Sequence, residues 1–160
     1  MKGSHDAHKS MTAERIRILI VEDEPDILAI LRIALALDTD MEVETAVTGA
    51  AALAAVRREG AGFHALLLNV ALPDTSGIDL ADSLRTEAGA SDAVVVFVTA
   101  RVARHERARY ERVSRATLIV KPFDPLSLAP RIRAFYREDA ATRMPRATMV
   151  EPGGTGNDLV

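Results

Sequence analysis

The hydrophobic positions of this chain fall into two alternating kinds of segment. Ile16–Val21 is a short β-rich apolar run, residues 42–47 alternate polar and apolar, and Ala65–Asn69, 93–98 and 117–120 are apolar almost throughout. Between them lie stretches with helical spacing, at residues 25–37, 50–58, 78–86 and 101–115, and a last one from Asp124 or Ser127 to Arg137. Apolar residues three and four apart mark a helix with one buried stripe, whereas short continuous runs bounded by turn residues mark buried strands. Pro25 suits a first helical turn, and Gly60 and Gly62 stop the second helix. Pro130 is tolerated if the last helix starts at Ser127, because a first-turn residue needs no amide hydrogen. Five strand–helix units in succession, with strands apolar on both faces, predict an α/β fold with a doubly wound parallel sheet covered by helices on both sides. Residues 1–14 have no apolar periodicity and read as a flexible leader. Residues 138–160 turn to Met-Pro-Arg and then Glu-Pro-Gly-Gly-Thr-Gly-Asn and read as a disordered tail. The expected folded unit is a single domain over residues 15–137.

Composition changes this picture by exclusion. The chain has no cysteine, so a disulfide framework, a thiolate metal site and a cysteine nucleophile are ruled out. Tryptophan is absent and aromatics make up 4% of the residues, which disfavours stacking on bases or sugars. The strongest apolar run, 93–98, is too short to span a bilayer, and the N-terminus lacks the apolar stretch of a secretory signal. A cytoplasmic location without a membrane partner is therefore expected. The formal net charge of −3 conceals an asymmetry. Residues 15–100 carry 6 basic and 14 acidic side chains, whereas residues 101–137 carry 10 basic and 3 acidic ones. One part of the domain suits a cation and the other an acidic partner.

In a doubly wound sheet the chemistry lies beyond the carboxyl ends of the strands. The polar residues at those ends are Glu22, Asp23 and Glu24 after the first run, Asn69 ending the third, Thr99 after the fourth and Lys121 after the fifth. Carboxylates, an amide, a hydroxyl and an ammonium in one cleft suit a hard divalent cation beside a bound oxyanion. Each residue alone has a bland explanation. Their placement on successive strand ends is what carries the signal.

The segments I-L-I-V-E-D-E-P-D-I, L-L-L-N-V-A-L-P-D-T-S-G-I-D-L, V-V-V-F-V-T-A and L-I-V-K-P-F-D-P together resemble a response-regulator receiver domain over about residues 15–137. The resemblance implies a flavodoxin-like five-stranded parallel sheet of order 2-1-3-4-5, with magnesium-assisted phosphoryl transfer from a histidine kinase onto an aspartate at the end of the third strand. It makes Glu22 and Asp23 the acidic Mg2+ pair, places the backbone carbonyl of Ala71 on the metal, and puts Thr99 and Lys121 on the phosphoryl oxygens. It also implies a cis Lys121–Pro122 bond.

Two residues depart from the family pattern. Asn69 stands at the phosphoacceptor position, where an amide cannot form the acyl phosphate that a carboxylate forms. Asn69 still offers the metal an oxygen, with one charge fewer, so Mg2+ should bind more weakly. Leu118 stands where the family carries its switch aromatic. The retention of both acids, Thr99 and Lys121 favours a replaced acceptor, or a recent loss, over long drift in a natural degenerate receiver. Asp74 is the nearest alternative acceptor.

These residues together indicate a single-domain receiver acting through protein–protein contacts. Its partners would be a histidine kinase or phosphotransfer protein, and a second copy of the chain through helix 4, strand 5 and helix 5. The surface expected to carry them comprises Arg101, Arg104, Arg107, Arg112, Leu118 and Tyr136. DNA binding is not expected, because no helix-turn-helix pattern is present. The alternative is a magnesium-dependent phosphohydrolase on a similar sheet, which lacks a nucleophile here. FMN binding ranks last, because the loop after the first strand is acidic.

Overall fold

The computed structural model describes residues 14–100 and 103–143. Five strands alternate with five helices: β1 Ile16–Val21, α1 Pro25–Ala36, β2 Met41–Ala46, α2 Gly49–Arg57, β3 Ala65–Asn69, α3 Gly77–Arg85, β4 Val94–Thr99, α4 Arg104–Arg112, β5 Ala116–Val120 and α5 Pro125–Arg143. A short 3-10 turn, Ala88–Ala90, precedes β4 and has no counterpart in the sequence pattern. The strands form one parallel sheet in the order β2-β1-β3-β4-β5. The flavodoxin-like arrangement expected from the sequence is the one observed.

The register explains why the strands read as they do. β3 and β4 are central and buried along their whole length, so they need apolar side chains on both faces. β2 is an edge strand, and only its end residues Met41 and Ala46 are buried. The sheet separates two cores. Leu19, Val21, Leu66, Leu68, Val95 and Phe97 face α2, α3 and α4, where Ala52, Val56, Ile78, Leu84 and Tyr110 close over them. Ile18, Ile20, Leu67, Val96, Val98 and Ile119 face α1 and α5, covered by Leu31, Leu35, Leu128 and Ile132.

Three helix boundaries differ from the pattern-based reading. α5 begins at Pro125 and continues through Arg143, six residues past the expected end. Arg143 explains the extension: its guanidinium pairs with Asp139 one turn earlier at 2.9 Å, and Asp139 also accepts from Arg115 at 2.9 Å. Pro130 therefore lies inside the helix rather than in its first turn. α4 ends at Arg112, because Val113 turns into the core and Arg115 adopts a left-handed backbone (φ 55°) leading into β5. Residues 1–13 of the leader, residues 144–160 of the tail, Arg101 and Val102 lie outside the described residues. No helix among the described residues is long and apolar enough to cross a membrane.

Candidate functional site

The parallel sheet brings the ends of β1, β3, β4 and β5 to one edge, where the sequence-predicted residues meet. Glu22 follows β1, with its backbone amide donating to the Ala46 carbonyl of β2 at 3.1 Å. Its side chain is fully buried. One carboxylate oxygen, Oε1, accepts from the backbone amide of Glu24 at 3.1 Å. The other, Oε2, lies 3.4 Å from Lys121 Nζ. Burial pushes the Glu22 carboxyl up, and Asp23 adds to the rise. The Glu24 amide and Lys121 oppose it, and the net shift remains upward.

Asn69 ends β3 and is 8% exposed. Its amide nitrogen is the hub of the site. Nδ2 donates to Ala71 O at 2.9 Å, to Asp23 Oδ1 at 3.1 Å and to Glu22 Oε1 at 3.2 Å. These partners settle which end of the amide is nitrogen, since an oxygen there would face three other oxygens. The position is fixed from below by α3. A side chain at Gly77 would run into the backbone carbonyl of Asn69, so only glycine lets α3 start this close to the strand end. The loop between them folds as a tight turn, with Ala71 bridged to Ser76 and the Gly77 amide on Val70 O at 2.8 Å.

Thr99 ends β4 and is largely buried. Its carbonyl accepts from the Lys121 amide at 2.8 Å, which ties the fourth and fifth strand ends together. The Lys121–Pro122 peptide is cis. The Thr99 side chain neighbours the buried hydroxyl of Tyr110 on α4. Burial pushes the Tyr110 phenol up despite that neighbour. Its ring meets Phe97 edge-on, with centroids 5.4 Å apart. The sequence pattern places Tyr110 only among the apolar positions of its helix. Nothing in a linear pattern signals that its hydroxyl reaches the strand-end cluster.

Glu22, Asp23, Asn69, Ala71 and Lys121 are thus joined in one network, with Thr99 at its border. Asp74, expected as the nearest alternative acceptor, is already engaged. Its two oxygens accept from the amides of Gly49 and Ala50 at 2.9 and 3.0 Å, holding the loop onto the start of α2 and keeping the carboxyl below its usual range. One residue of the expected partner surface falls elsewhere. Tyr136 is buried under α5, edge-on to His64 with centroids 5.7 Å apart, and its hydroxyl reaches Glu14 at 3.3 Å. It belongs to the core, because the face of α5 that carries it packs on the sheet. Arg115, read as the end of the fourth helix, lies past α4 and pairs with Asp139. Arg104, Arg107 and Arg112 are exposed. Leu118 is half-buried in a cleft of about 420 Å³ between α4 and β5, lined also by Phe97, Arg107, Tyr110 and Glu111.

The carboxylates of Glu22 and Asp23 and the carbonyl of Ala71 are hard oxygen donors of the kind a divalent cation takes. Their point of convergence, however, holds the Asn69 N–H groups, which donate hydrogen bonds and cannot ligate. In this orientation the amide turns its N–H groups, and not its oxygen, toward Glu22, Asp23 and Ala71.

Comparison with known proteins matches residues 18–133 to the response regulator receiver domain. The chain is 32% identical over 142 residues to the transcriptional regulatory protein KdpE of Mycobacterium tuberculosis, a match covering 89% of this chain and 60% of that protein. It is 34% identical over 130 residues to the transcriptional regulatory protein TcrA of the same species, covering 81% of this chain and 49% of that one. It therefore spans only about half to three-fifths of these curated relatives. Among solved structures, the non-phosphorylated HemR receiver domain of Leptospira biflexa is 31% identical with a TM-score of 0.64, covering 76% of this chain and 94% of that one. A CheY-like receiver domain protein of Methanospirillum hungatei is 26% identical with a TM-score of 0.69, covering 81% and 99%. Receiver domains are generally non-enzymatic signalling modules that bind Mg2+ at the acidic site and interact with histidine kinases or phosphotransfer proteins. With its sheet order, its strand-end residues and its sequence in agreement, the chain belongs to the response-regulator receiver domain family.

Proposed function

We propose that this receiver works in two-component signalling through protein–protein contacts, without an acyl phosphate at residue 69. The observation that carries the reading is the state of Asn69. It ends β3 where the phosphoacceptor belongs, and its amide nitrogen is committed to Glu22, Asp23 and Ala71. A phosphoryl acceptor must offer an electron pair to phosphorus. The amide nitrogen's pair is delocalised into the carbonyl, and its hydrogens face acceptors. The surrounding residues keep their family positions, so the substitution alone removes the chemistry. Signalling then depends on what the surface presents. Arg104, Arg107 and Arg112 stand exposed on α4, Arg107 lines the cleft with the half-buried Leu118, and Val120 and Leu126 expose 48% and 70% of their surface on β5 and α5. Exposed apolar side chains together with arginines suit a protein partner, including a second copy of the chain.

Incubation with acetyl phosphate and Mg2+, with intact-mass measurement and peptide mapping of the products, tests the reading. The wild-type chain should gain no phosphoryl group at residue 69. Asn69→Asp should gain one that hydroxylamine removes. A stoichiometric adduct on wild-type Asn69 would overturn the proposal. An unmodified Asn69→Asp would show that more of the site than one residue has been lost.

A further inference from the structure

The hydrogen bonds of Asn69 carry a second consequence, distinct from the lost nucleophile. Two carboxylates and a carbonyl converging at a buried strand end repel one another unless something positive lies between them. Here the chain itself supplies that group. Asn69 Nδ2 sits 2.9–3.2 Å from Ala71 O, Asp23 Oδ1 and Glu22 Oε1 at once. Its two N–H groups serve three oxygens, so at least one bond is shared. Lys121 Nζ meets the second Glu22 oxygen at 3.4 Å, and the Glu24 amide meets the first at 3.1 Å. Among these contacts both Glu22 oxygens and one Asp23 oxygen are satisfied from within.

We infer that the Asn69 amide is an internal substitute for the divalent cation, occupying the point where one would sit and making the site independent of metal. This rests on the family reading of the site but not on the loss of phosphorylation. Losing the aspartate charge would only weaken a cation. A hydrogen-bond donor at the point of convergence goes further and competes with it. To admit the ion, Asn69 must swing its nitrogen away, or rotate the amide to offer its oxygen, and it gives up its bonds to Glu22, Asp23 and Ala71 either way. The shortest of these bonds holds the turn at Ala71.

The two explanations differ in what they predict for alanine. If only the missing charge matters, Asn69→Ala binds a divalent cation no better than the wild type, since neither has a carboxylate at 69. If the amide occupies the site, Asn69→Ala removes the competitor and binds more tightly, on the order of tenfold for the loss of hydrogen bonds to charged acceptors. The measurement is a Mn2+ titration monitored by paramagnetic broadening of backbone amide signals near residues 22–24 and 69–71. Thermal unfolding in chelator and in Mg2+ runs alongside. The wild type should show no saturable broadening at millimolar Mn2+ and the same melting temperature with and without Mg2+. Asn69→Ala should bind Mn2+ on the order of tenfold more tightly than the wild type. Asn69→Asp should bind most tightly and melt higher in Mg2+ than in chelator. Saturable Mn2+ binding by the wild type as strong as that of Asn69→Ala would overturn the inference. The wild-type titration stands by itself if either variant does not fold. A wild type that resists both the metal and phosphorylation supports both proposals. One that takes up metal but no phosphate overturns this one alone.

Discussion

α3 and α4 are both nine residues long and both lie over the same face of the sheet, yet they are held in different ways. α3 buries Gly77, Ile78, Leu80, Ala81 and Leu84, and Ser76 caps its start by accepting from the Ile78 amide at 3.2 Å. α4 buries Tyr110 alone, and Ala103 at its start offers no side-chain cap. Its ion pairs are exposed: Arg107 to Glu111 at 3.3 Å, and Arg109 to Asp79 on α3 at 3.5 Å. Exposed pairs of this kind contribute about 0–1 kcal/mol, less than one buried leucine. α3 is therefore part of the rigid scaffold that fixes Asn69 through Gly77. α4 rests on one aromatic anchor beside an open cleft. A helix with so little buried surface opens locally at small cost, which suits a surface completed by a partner.

The contrast is broken most directly in α3. Leu84 is fully buried against the sheet, and Leu84→Ala leaves a cavity that its neighbours fill only in part. A loss of about 3 kcal/mol is expected, the usual range for buried leucine being about 2–5 kcal/mol. Denaturant unfolding should show a lower midpoint with an unchanged slope. A loss below about 1 kcal/mol would mean that α3 is no better anchored than α4.

A smaller effect separates a shielded ion pair from the exposed pairs of α4. Arg133 on α5 donates to Asp38, just past α1, at 2.7 Å, and to the Glu14 carbonyl at 2.9 Å. The side chains are 12% and 21% exposed. The Arg133 hydrogen bond holds the Asp38 carboxyl below its usual range despite some burial. A carboxyl whose folded pKa is depressed contributes stability that is fully present above its unfolded value, near 3.9, and is lost as pH falls through the folded value. Asp38→Asn should therefore cost about 1 kcal/mol at pH 7. It should also flatten the fall of stability below about pH 4. Equal acid sensitivity of wild type and variant would remove the distinction between this pair and those on α4.

The sheet was legible in the sequence because its signal is local. β3 and β4 need apolar residues at every position, and the polar residue that ends each central run is the site residue itself. Asn69, Thr99, Glu22 and Lys121 are found from the polar position at or just past the end of each apolar run. The features that escaped are set by contacts between distant segments. α5 outruns its apolar pattern because Asp139, a residue that reads as solvent-facing, is buried by Arg115 and Arg143. Tyr136 reads as an exposed aromatic on the last helix, but which face of α5 packs on the sheet depends on α1 and β4. The reach of Asn69 Nδ2 to three acceptors, and the capture of Asp74 by α2, depend on side-chain geometry that spacing does not encode.

The smallest expected effect on stability is also the one that bears most on function. Arg104 and Arg112 are exposed, and neither appears in an ion pair or side-chain hydrogen bond among the described residues. Reversing both to glutamate removes no buried contact, so unfolding stability should change by less than about 0.5 kcal/mol. Arg112 lies in the last turn, where the reversal opposes the helix dipole, and Arg104 opens the helix, where it favours it, so the two effects should largely cancel. If the basic face docks a second copy, sedimentation of the wild type should show concentration-dependent association. Added salt should weaken it, because charges at a rim are screened over about 10 Å at 0.1 M. Arg104→Glu with Arg112→Glu should sediment as a monomer while melting almost as the wild type does. Leu84→Ala, which strikes the other helix, should instead melt early while its folded fraction still associates. If the charge reversal leaves association unchanged, α4 is only a lightly packed, solvated helix and its difference from α3 has no role in docking.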